Sequence, residues 1–367
     1  MNEAVNPSNI VIWGGFVLAF VFGALANKSN FCTMGAISDV VNMEHWGRVR
    51  MWLLAIAVAM LGANLLHMAG LVDLSKSVYQ RPSLPWLSMV VGGVLFGVGM
   101  TMAGGCTNKN LIRVGGGSLR SVVVLVFLGL SAYMTLKGLF GQWRASFLDP
   151  VTIDLAKLGM TNQSLSQLLA KLTGLSESAA LMATLAVLVL GILVFVFKDK
   201  RFRSNTLQVI SSIILGLLVV AAWYLTGHIG YGENPETLET VYFATNTRTI
   251  ESFSFVAPVS FGLELLMLWT DTSTRMTFGI ATAVGVAMGS FVYAISTKQF
   301  RWEGFASIDD LKTQLTGAIL MGFGGVTAIG CTIGQGMSGV STLAIGSFVT
   351  LAGIIVGAVA MMKWQQR

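Results

Sequence analysis

The stretch FGVGMTMAGGCTNKN, residues 96–110, ends a long apolar run with two glycines, a cysteine, a threonine and then polar side chains. Irregular backbone at membrane depth is tolerated only where it is buried in protein or lines a wet cavity, because lipid cannot pair the freed peptide groups. The motif therefore predicts a re-entrant segment inside a helical membrane bundle.

Composition agrees with a membrane bundle. Hydrophobic residues make up 54% of the 367 residues and charged residues 11%, and the mean hydropathy is +0.73. These values exclude an ordinary soluble core. The net charge of +6 is better explained by loops facing the negative cytoplasmic leaflet than by a nucleic-acid partner. We therefore expect an all-α polytopic membrane protein whose surroundings are the lipid bilayer.

Ten apolar stretches reach, or nearly reach, the roughly 17 to 25 residues that a membrane helix needs. The seventh is the shortest. We thus predict about nine to ten transmembrane helices with short re-entrant helices or loops. The ten stretches are Ile10–Ala26, Met51–Gly70, Trp86–Gly105, Val122–Phe140, Ala179–Phe197, Val209–Thr226, Phe255–Trp269, Phe278–Ile295, Leu315–Gly330 and Leu343–Met362.

Basic clusters predict the orientation, since Lys and Arg near short loops favour the cytoplasmic side. The densest cluster is KDKRFR, residues 198–203, and placing it inside puts the N-terminus outside. The C-terminal tail, with Lys363 and Arg367, then lies outside after ten spans, which conflicts with its charge unless one span is miscounted. The other basic residues placed inside are Arg48, Arg50, Lys109, Arg113 and Arg120.

The chain contains an internal duplication. A shift of 225 residues gives six identities over residues 96–107 and superposes the second, third and fourth spans on the eighth, ninth and tenth. We assign residues 1–178 to a first membrane repeat, with re-entrant loops at Cys32 and Cys106 and an interfacial segment at 141–178. Residues 179–367 form a second repeat, with a re-entrant loop at Cys331. Six spans separate equivalent positions, so we expect parallel repeats; one miscounted span would make them inverted.

Each of the three cysteines is followed by threonine, and none has a Cys-x-x-Cys or Cys/His zinc spacing, so we expect neither a metal nor a cofactor. Broken membrane helices present free N–H groups and positive dipole ends, which suit an anion. Thiols, hydroxyls and amides add neutral donors that bind an anion weakly enough to release it. The predicted substrate pathway consists of Cys32, Cys106, Cys331, Thr33, Thr107, Thr332, Gly105, Gly330, Asn108, Lys109 and Gln335.

Structural interpretations compete with these assignments. Cysteine is often a small buried hydrophobe, and Gly92, Gly93 and Gly97 are better explained by helix packing. Lys109 and Arg113 fit either substrate binding or snorkelling to lipid phosphate.

Four other polar residues within or beside spans also have two interpretations. Glu264 is a functional candidate as an intramembrane acid, but an interfacial position explains it equally well. Asn64 and His67, one turn apart, favour interhelical hydrogen bonds. Asp39 favours a local cap or ion pair.

Three segments carry a family resemblance: SNFCTMGAISD at 29–39, FGVGMTMAGGCT at 96–107 and GFGGVTAIGCTIGQGMSG at 322–339. They resemble the YeeE/YedE family of sulfur transporters, of the thiosulfate-permease type. The resemblance implies a bacterial-type inner-membrane bundle of about nine spans whose re-entrant loops converge on a constricted centre. It also implies thiosulfate uptake along a relay of Cys32, Cys106 and Cys331, and a separate cytoplasmic sulfur acceptor of the TusA-like or rhodanese-like kind.

Two features depart from that family. The segment CTNKNLIRVGGGS, residues 106–118, carries a lysine and an arginine where a Gly-Leu-Ser-like run is common, and residues 141–177 match no motif. The charges could change the preferred anion.

The leading hypothesis is a permease for thiosulfate or a related sulfur oxyanion, not an enzyme. The chain has no Gly-Lys-Ser/Thr of a P-loop, so gradients or internal consumption would drive transport. The alternatives are a membrane sulfur-transferase or thiol redox protein, which needs a low-pKa thiolate, a permease for selenium oxyanions, and a soft-metal permease. The 19 methionines form no Met-x-x-Met ladder, which argues against the soft-metal alternative.

Overall fold

The computed structural model describes residues 7–233 and 238–366 and is built mainly of α-helices. Two short antiparallel strand pairs are present, β1 (Ser83–Leu84) with β2 (Ile153–Asp154), and β3 (Tyr231–Glu233) with β4 (Thr240–Tyr242). The α-helices are α1 Pro7–Lys28, α2 Thr33–Met43, α3 Gly47–Met68, α4 Trp86–Met102, α5 Thr107–Gly115, α6 Leu119–Lys137, α7 Leu139–Trp143, α8 Leu165–Thr173, α9 Glu177–Phe197, α10 Lys200–Ser204, α11 Thr206–Tyr224, α12 Val256–Met267, α13 Phe278–Ser296, α14 Ile308–Thr327 and α15 Ile345–Gln365. Turns of π-helix lie at Arg144–Leu148, Leu225–Ile229 and Gly334–Gly339, and 3₁₀ turns at Leu74–Lys76, Val78–Gln80 and Leu155–Leu158.

Eight helical stretches of the described chain are long and apolar enough to cross a membrane. They overlap eight of the ten spans predicted from the sequence, and they confirm an all-α polytopic membrane protein. The eight stretches are Pro7–Met43, Gly47–Met68, Trp86–Gly115, Leu119–Lys137, Glu177–Phe197, Thr206–Ile229, Phe278–Ser296 and Ile345–Gln365.

The two remaining predicted stretches are not among these eight, for separate reasons. The seventh stretch corresponds to α12, whose 12 residues at about 1.5 Å each cannot cross some 30 Å of hydrocarbon. The ninth lies in α14, a helix of 20 residues whose first turn carries Asp309 and Asp310. Those charges lower its hydropathy below that of a typical span.

One end of the bundle collects the basic segments, and we call it the basic end. Arg50 in α3 forms an ion pair of 2.5 Å with Asp199, beside the segment 198–203. Gln366, after α15, donates a hydrogen bond of 2.5 Å to Asn42 at the end of α2. The C-terminal helix therefore ends on the same side as residues 198–203, which removes the charge conflict raised by counting ten spans. Arg367 itself lies outside the described residues.

The opposite end, which we call the cap end, is covered by residues 72–84 and 139–176. Strand β1 pairs there with β2. The backbone N–H of Leu165 donates to the carbonyl of Leu343 at 2.9 Å, just before α15 begins. The segment 141–178, predicted to be interfacial, therefore lies across this end and contributes the short helix α8.

Helices related by the 225-residue shift run in opposite directions. Helix α4 begins at the cap end, whereas α14 ends there, and the two pack antiparallel with Gly92 against Gly324 and Gly99 against Gly317. The expectation of parallel repeats is therefore wrong. It failed because the stretch 255–269, counted as a crossing, is only the short helix α12, and its removal changes the parity.

Glycines bring α4 and α14 into backbone contact. A Cβ atom built on Gly92 would lie 2.6 Å from the Ala328 nitrogen, and one on Gly99 would lie 2.6 Å from the Gly317 carbonyl oxygen. Only glycine permits such an approach. This confirms the packing interpretation of Gly92, and Gly93 and Gly97 pack in the same way against α15. We call the contact of Gly92, Gly99, Gly317 and Gly324 the glycine spine.

Cysteine labelling in intact cells should show this placement of the chain ends. The exposed positions Lys200 and Gln366 lie at the basic end, and exposed Leu175 lies at the cap end. We expect a membrane-impermeant maleimide to label Leu175→Cys and to leave Lys200→Cys and Gln366→Cys unlabelled, because basic loops stay in the cytoplasm. The wild type, whose cysteines are buried, is the control. Labelling of Gln366→Cys without Lys200→Cys would contradict the fold.

Candidate functional site

A short helical element begins at each of the three cysteines: α2 after Cys32, α5 after Cys106 and the π-turn after Cys331. The Cys32 sulfur accepts the backbone N–H of Gly35 at 3.3 Å, and the Cys331 sulfur accepts that of Gly334 at 3.4 Å. Each of these sulfurs accepts the N–H of the residue three positions later in the chain, as a Ser or Thr side chain does when it caps a helix. Cys32 and Cys106 are the N-cap residues of α2 and α5, and Cys331 lies just before the π-turn.

Two of the three thiols meet. The Cys106 thiol lies within hydrogen-bonding reach of the Cys32 thiol, and the Thr332 hydroxyl lies beside Cys106. Helix α4, which precedes Cys106, runs towards the basic end, whereas α14, which precedes Thr332, runs towards the cap end. The meeting point is therefore in the middle of the bundle. We call Cys32, Cys106 and Thr332 the thiol centre.

Three buried threonine hydroxyls lack partners. Within the described chain, the side-chain oxygens of Thr33, Thr107 and Thr332 are buried and accept or donate no hydrogen bond of normal geometry. Such a group costs about 1–3 kcal/mol when it stays unpaired, so native proteins seldom leave one. A threonine hydroxyl without a hydrogen-bond partner among the described residues thus follows each of the three cysteines. The amide oxygens of Asn108 and Gln335 share this property.

Side-chain amides hold the turns that carry the cysteines. Asn110 donates to the carbonyls of Gly105 at 2.9 Å and Cys106 at 3.2 Å. In the second repeat Gln335 donates to the carbonyl of Ala328 at 2.6 Å, across the turn at Gly330. The turn before Cys106 also needs Gly104, whose φ of 67° favours glycine. Of the predicted pathway residues, Gly105, Gly330 and Gln335 thus shape the site.

Positive charge lies on the basic-end side of the thiol centre. Half-buried Lys109 lies near both Cys32 and Cys106, and its side chain packs on Gly105. Arg113 donates to the Gly104 carbonyl at 2.7 Å. Arg113 therefore supports the turn, and Lys109 is the cation best placed to meet an anion.

The second repeat lacks these two cations. The 225-residue shift places Gly334 at the position of Lys109 and Ser338 at that of Arg113. The surroundings of Cys331 are neutral at these positions, whereas those of Cys106 are cationic. An anion that travels from Cys331 towards Cys106 therefore moves towards positive charge.

A cavity of 440 Å³ opens at the cap end and reaches Gly330, the residue before Cys331. Its wall includes Arg81 and Glu251, and burial raises the pKa of the Glu251 carboxyl above its ordinary value. Tyr79 and Ser254 also line it. Neither residue could be recognised from the sequence, because a hydroxyl in a polar loop belongs to no motif.

Three of the other polar candidates have structural partners. Asp39 pairs with Arg48 at 3.2 Å, as expected for a local ion pair. Asn64 donates to the carbonyl of Ser341 at 2.8 Å, which confirms an interhelical hydrogen bond. His67, one turn further on, contacts the carbonyl of Val72 at 3.1 Å instead of another helix.

Glu264 lies near the end of α12, where it accepts hydrogen bonds from Lys137 at 2.7 Å and Tyr133 at 3.0 Å. The Lys137 side chain is 54% exposed, so the pair contributes about 1 kcal/mol or less. We expect Glu264→Gln to shift the detergent-solubilised protein's melting temperature only slightly and to leave uptake unchanged. Loss of uptake by a well-folded Glu264→Gln protein would instead give this acid a role in transport.

Comparison with known proteins identifies the family. The family model described as sulphur transport matches residues 28–360, a range that contains all three Cys-Thr pairs. The chain belongs to this family. It is 23% identical over 369 residues to the thiosulfate transporter TsuA of Escherichia coli (strain K12), covering 95% of this chain and 92% of the relative. It is 25% identical over 354 residues to the thiosulfate transporter TsuA of Spirochaeta thermophila, covering 95% and 97%.

These matches confirm the YeeE/YedE resemblance across nearly the whole chain. Both relatives are named as transporters, so the prediction of a transport protein, and not an enzyme, is also confirmed. The chain is thus a multi-pass membrane protein of a sulfur transport family.

Proposed function

We propose that this protein takes up thiosulfate, or a closely related sulfur oxyanion, through the bacterial inner membrane from the cap end to the basic end. Two relatives named as thiosulfate transporters support the substrate. The basic segment 198–203 and the C-terminal helix would face the cytoplasm. A separate TusA-like or rhodanese-like protein would then accept the sulfur at the basic end.

The observation that carries the proposal is the threefold repetition of a buried thiol beside an unpartnered threonine hydroxyl. The anion passes from Cys331 to Cys106 and Cys32, and at each cysteine it accepts S–H, O–H and N–H hydrogen bonds. A polarisable terminal sulfur suits contact with thiols better than a hard oxygen does. Donors that stay neutral hold the anion without trapping it.

The unequal charge of the two repeats supports the direction. Lys109 draws the anion past Cys106. Because Gly334 and Ser338 stand beside Cys331 at the positions of Lys109 and Arg113, Cys331 does not bind the anion too tightly to release it. The positive charge beside the cysteines therefore increases from Cys331 to Cys106.

The test is uptake of radiolabelled thiosulfate into proteoliposomes, with sulfate, selenite and tetrathionate as competitors. We expect saturable uptake that only sulfur-bearing relatives of thiosulfate inhibit strongly. Proteoliposomes without protein are the blank, and the Thr33→Ala, Thr107→Ala and Thr332→Ala variants probe the hydroxyls. If the wild-type protein transported selenite and no thiosulfate, thiosulfate would be refuted as the substrate, and the proposed pathway would stand.

One geometric feature favours a second candidate, a membrane sulfur-transferase. The contact of Cys32 with Cys106, near Lys109, could support a thiolate. The thiolate would attack the outer sulfur of thiosulfate, break its S–S bond and release sulfite, leaving a cysteine persulfide. Mass spectrometry of the protein after incubation with thiosulfate decides: a gain of one sulfur atom on Cys32 or Cys106 supports this candidate. A relay of intact anions leaves both thiols unmodified.

A further inference from the structure

Tyr79 lies where the cap-end cavity meets Cys331. Its ring is buried and packs edge-on against Trp223 at 6.4 Å between ring centres. Its hydroxyl lies within hydrogen-bonding reach of the Ser254 hydroxyl and near Cys331. Both Tyr79 and Ser254 line the cavity. The phenol is therefore reachable from the cavity although its ring is fixed.

Gly334 shows how closely these groups converge. A Cβ atom built there would lie 2.6 Å from the Ser254 hydroxyl oxygen and 3.3 Å from that of Tyr79. The N–H of Gly334 faces the Cys331 sulfur. Two hydroxyls and a thiol thus lie around Gly334 at the inner wall of the cavity.

The protonation of Tyr79 is fixed by its surroundings. Burial, together with the nearby Cys331 and Glu251, raises the pKa of Tyr79 well above its ordinary value. The phenol therefore keeps its proton across the physiological range. Of the two O–H groups of Tyr79 and Ser254, their mutual hydrogen bond uses one, and the other remains available as a donor.

The two repeats differ at this point. In the first repeat Cys106 meets a second thiol, Cys32, which precedes α2. In the second repeat the loop before α12 supplies Ser254 instead, and Tyr79 enters from the cap-end segment 72–84. The cap-end site is therefore built of hydroxyls and one thiol, which suits an oxyanion bound by its oxygens at one end and its sulfur at the other.

We propose that Tyr79 and Ser254 form a receiving site that binds the oxygens of the entering sulfur oxyanion and presents its terminal sulfur to Cys331. The inference rests on the proposed function and assigns these two residues to the first binding step. Removal of the phenol hydroxyl weakens capture and leaves the later steps past Cys106 unchanged. Sulfate presents the same oxygens, so its binding at this site weakens by the same factor.

The test compares thiosulfate uptake by wild type, Tyr79→Phe and Ser254→Ala in proteoliposomes, over a range of thiosulfate and sulfate concentrations. We expect Tyr79→Phe to raise KM by about tenfold, to keep the maximal rate within about twofold and to weaken sulfate inhibition about equally. Tyr242→Phe, a half-buried tyrosine outside the lining of this cavity, is the matched control. Phenylalanine retains the packing on Trp223.

The outcomes separate the two proposals. No uptake by wild type would refute the proposed function itself. Normal wild-type uptake with an unchanged KM in Tyr79→Phe, or with a fall in maximal rate alone, would overturn the receiving site. If Tyr79→Phe fails to fold, Ser254→Ala decides in the same way, because it removes the hydroxyl partner without touching the ring.

Discussion

We expect Cys106→Ala to take up thiosulfate at less than about one-tenth of the wild-type rate, because its S–H donor to the charged solute is lost and such a hydrogen bond contributes about 1.5–3 kcal/mol. Cys106 contacts Cys32 of its own repeat and Thr332 of the other. Its removal therefore interrupts the path between the two repeats. Uptake of radiolabelled thiosulfate by cells that produce equal amounts of each protein measures the effect.

Cys106→Ser and Thr101→Ala are the controls for Cys106→Ala. Serine keeps a neutral donor at nearly the same place, so we expect uptake between that of wild type and Cys106→Ala. Thr101 is buried in α4 nearby, and its hydroxyl donates to the Gly97 carbonyl within its own helix, so Thr101→Ala should transport normally. Normal uptake by Cys106→Ala would make this cysteine a packing residue and refute the relay.

Gly324→Val should prevent the protein from folding into a single species. The Cβ atom of any larger residue would lie 2.6 Å from both the Gly92 carbonyl oxygen and the Phe96 nitrogen. Backbone atoms cannot swing aside as a side chain does, so α4 and α14 must separate. Overpacking typically costs about 1–3 kcal/mol, and a contact between two backbones belongs at the upper end of that range. Size-exclusion chromatography in detergent should show aggregated protein in place of one sharp peak.

Gly191→Val is the matched control for that substitution. Gly191 lies in α9, and a Cβ atom built there meets nothing within 4 Å. Valine at 191 should therefore leave the elution profile and the melting temperature close to those of wild type. A sharp peak and normal melting temperature for Gly324→Val would show that the spine is looser than its geometry indicates.

Most of the helices could be predicted from the sequence, because hydropathy reports directly on contact with lipid. It failed at α12. The stretch Phe255–Trp269 is apolar, but α12 has only 12 residues and is too short to cross the membrane. That one error changed the predicted orientation of the repeats from inverted to parallel, because the orientation depends on the number of crossings between equivalent helices.

The site was predictable where residues repeat and not where they occur singly. Three Cys-Thr pairs and the 225-residue shift marked the loops, but spacing does not tell which loops touch. The contact of Cys106 with Cys32 depends on how α4 and α14 pack. Tyr79 and Ser254 belong to non-repeating loops from distant parts of the chain, so only the folded structure shows that they meet.

The glycine spine has a consequence for how the membrane stays sealed. Two helices in backbone contact cannot rock against each other without losing that contact, so we expect the frame around the proposed pathway to stay fixed during transport. In the proposed relay the thiol centre then has two tasks, since it must admit the anion and exclude the ions whose gradients power the cell. A wider opening there would let those ions through, so we expect small movements of the turns at the cysteines to limit the rate of transport.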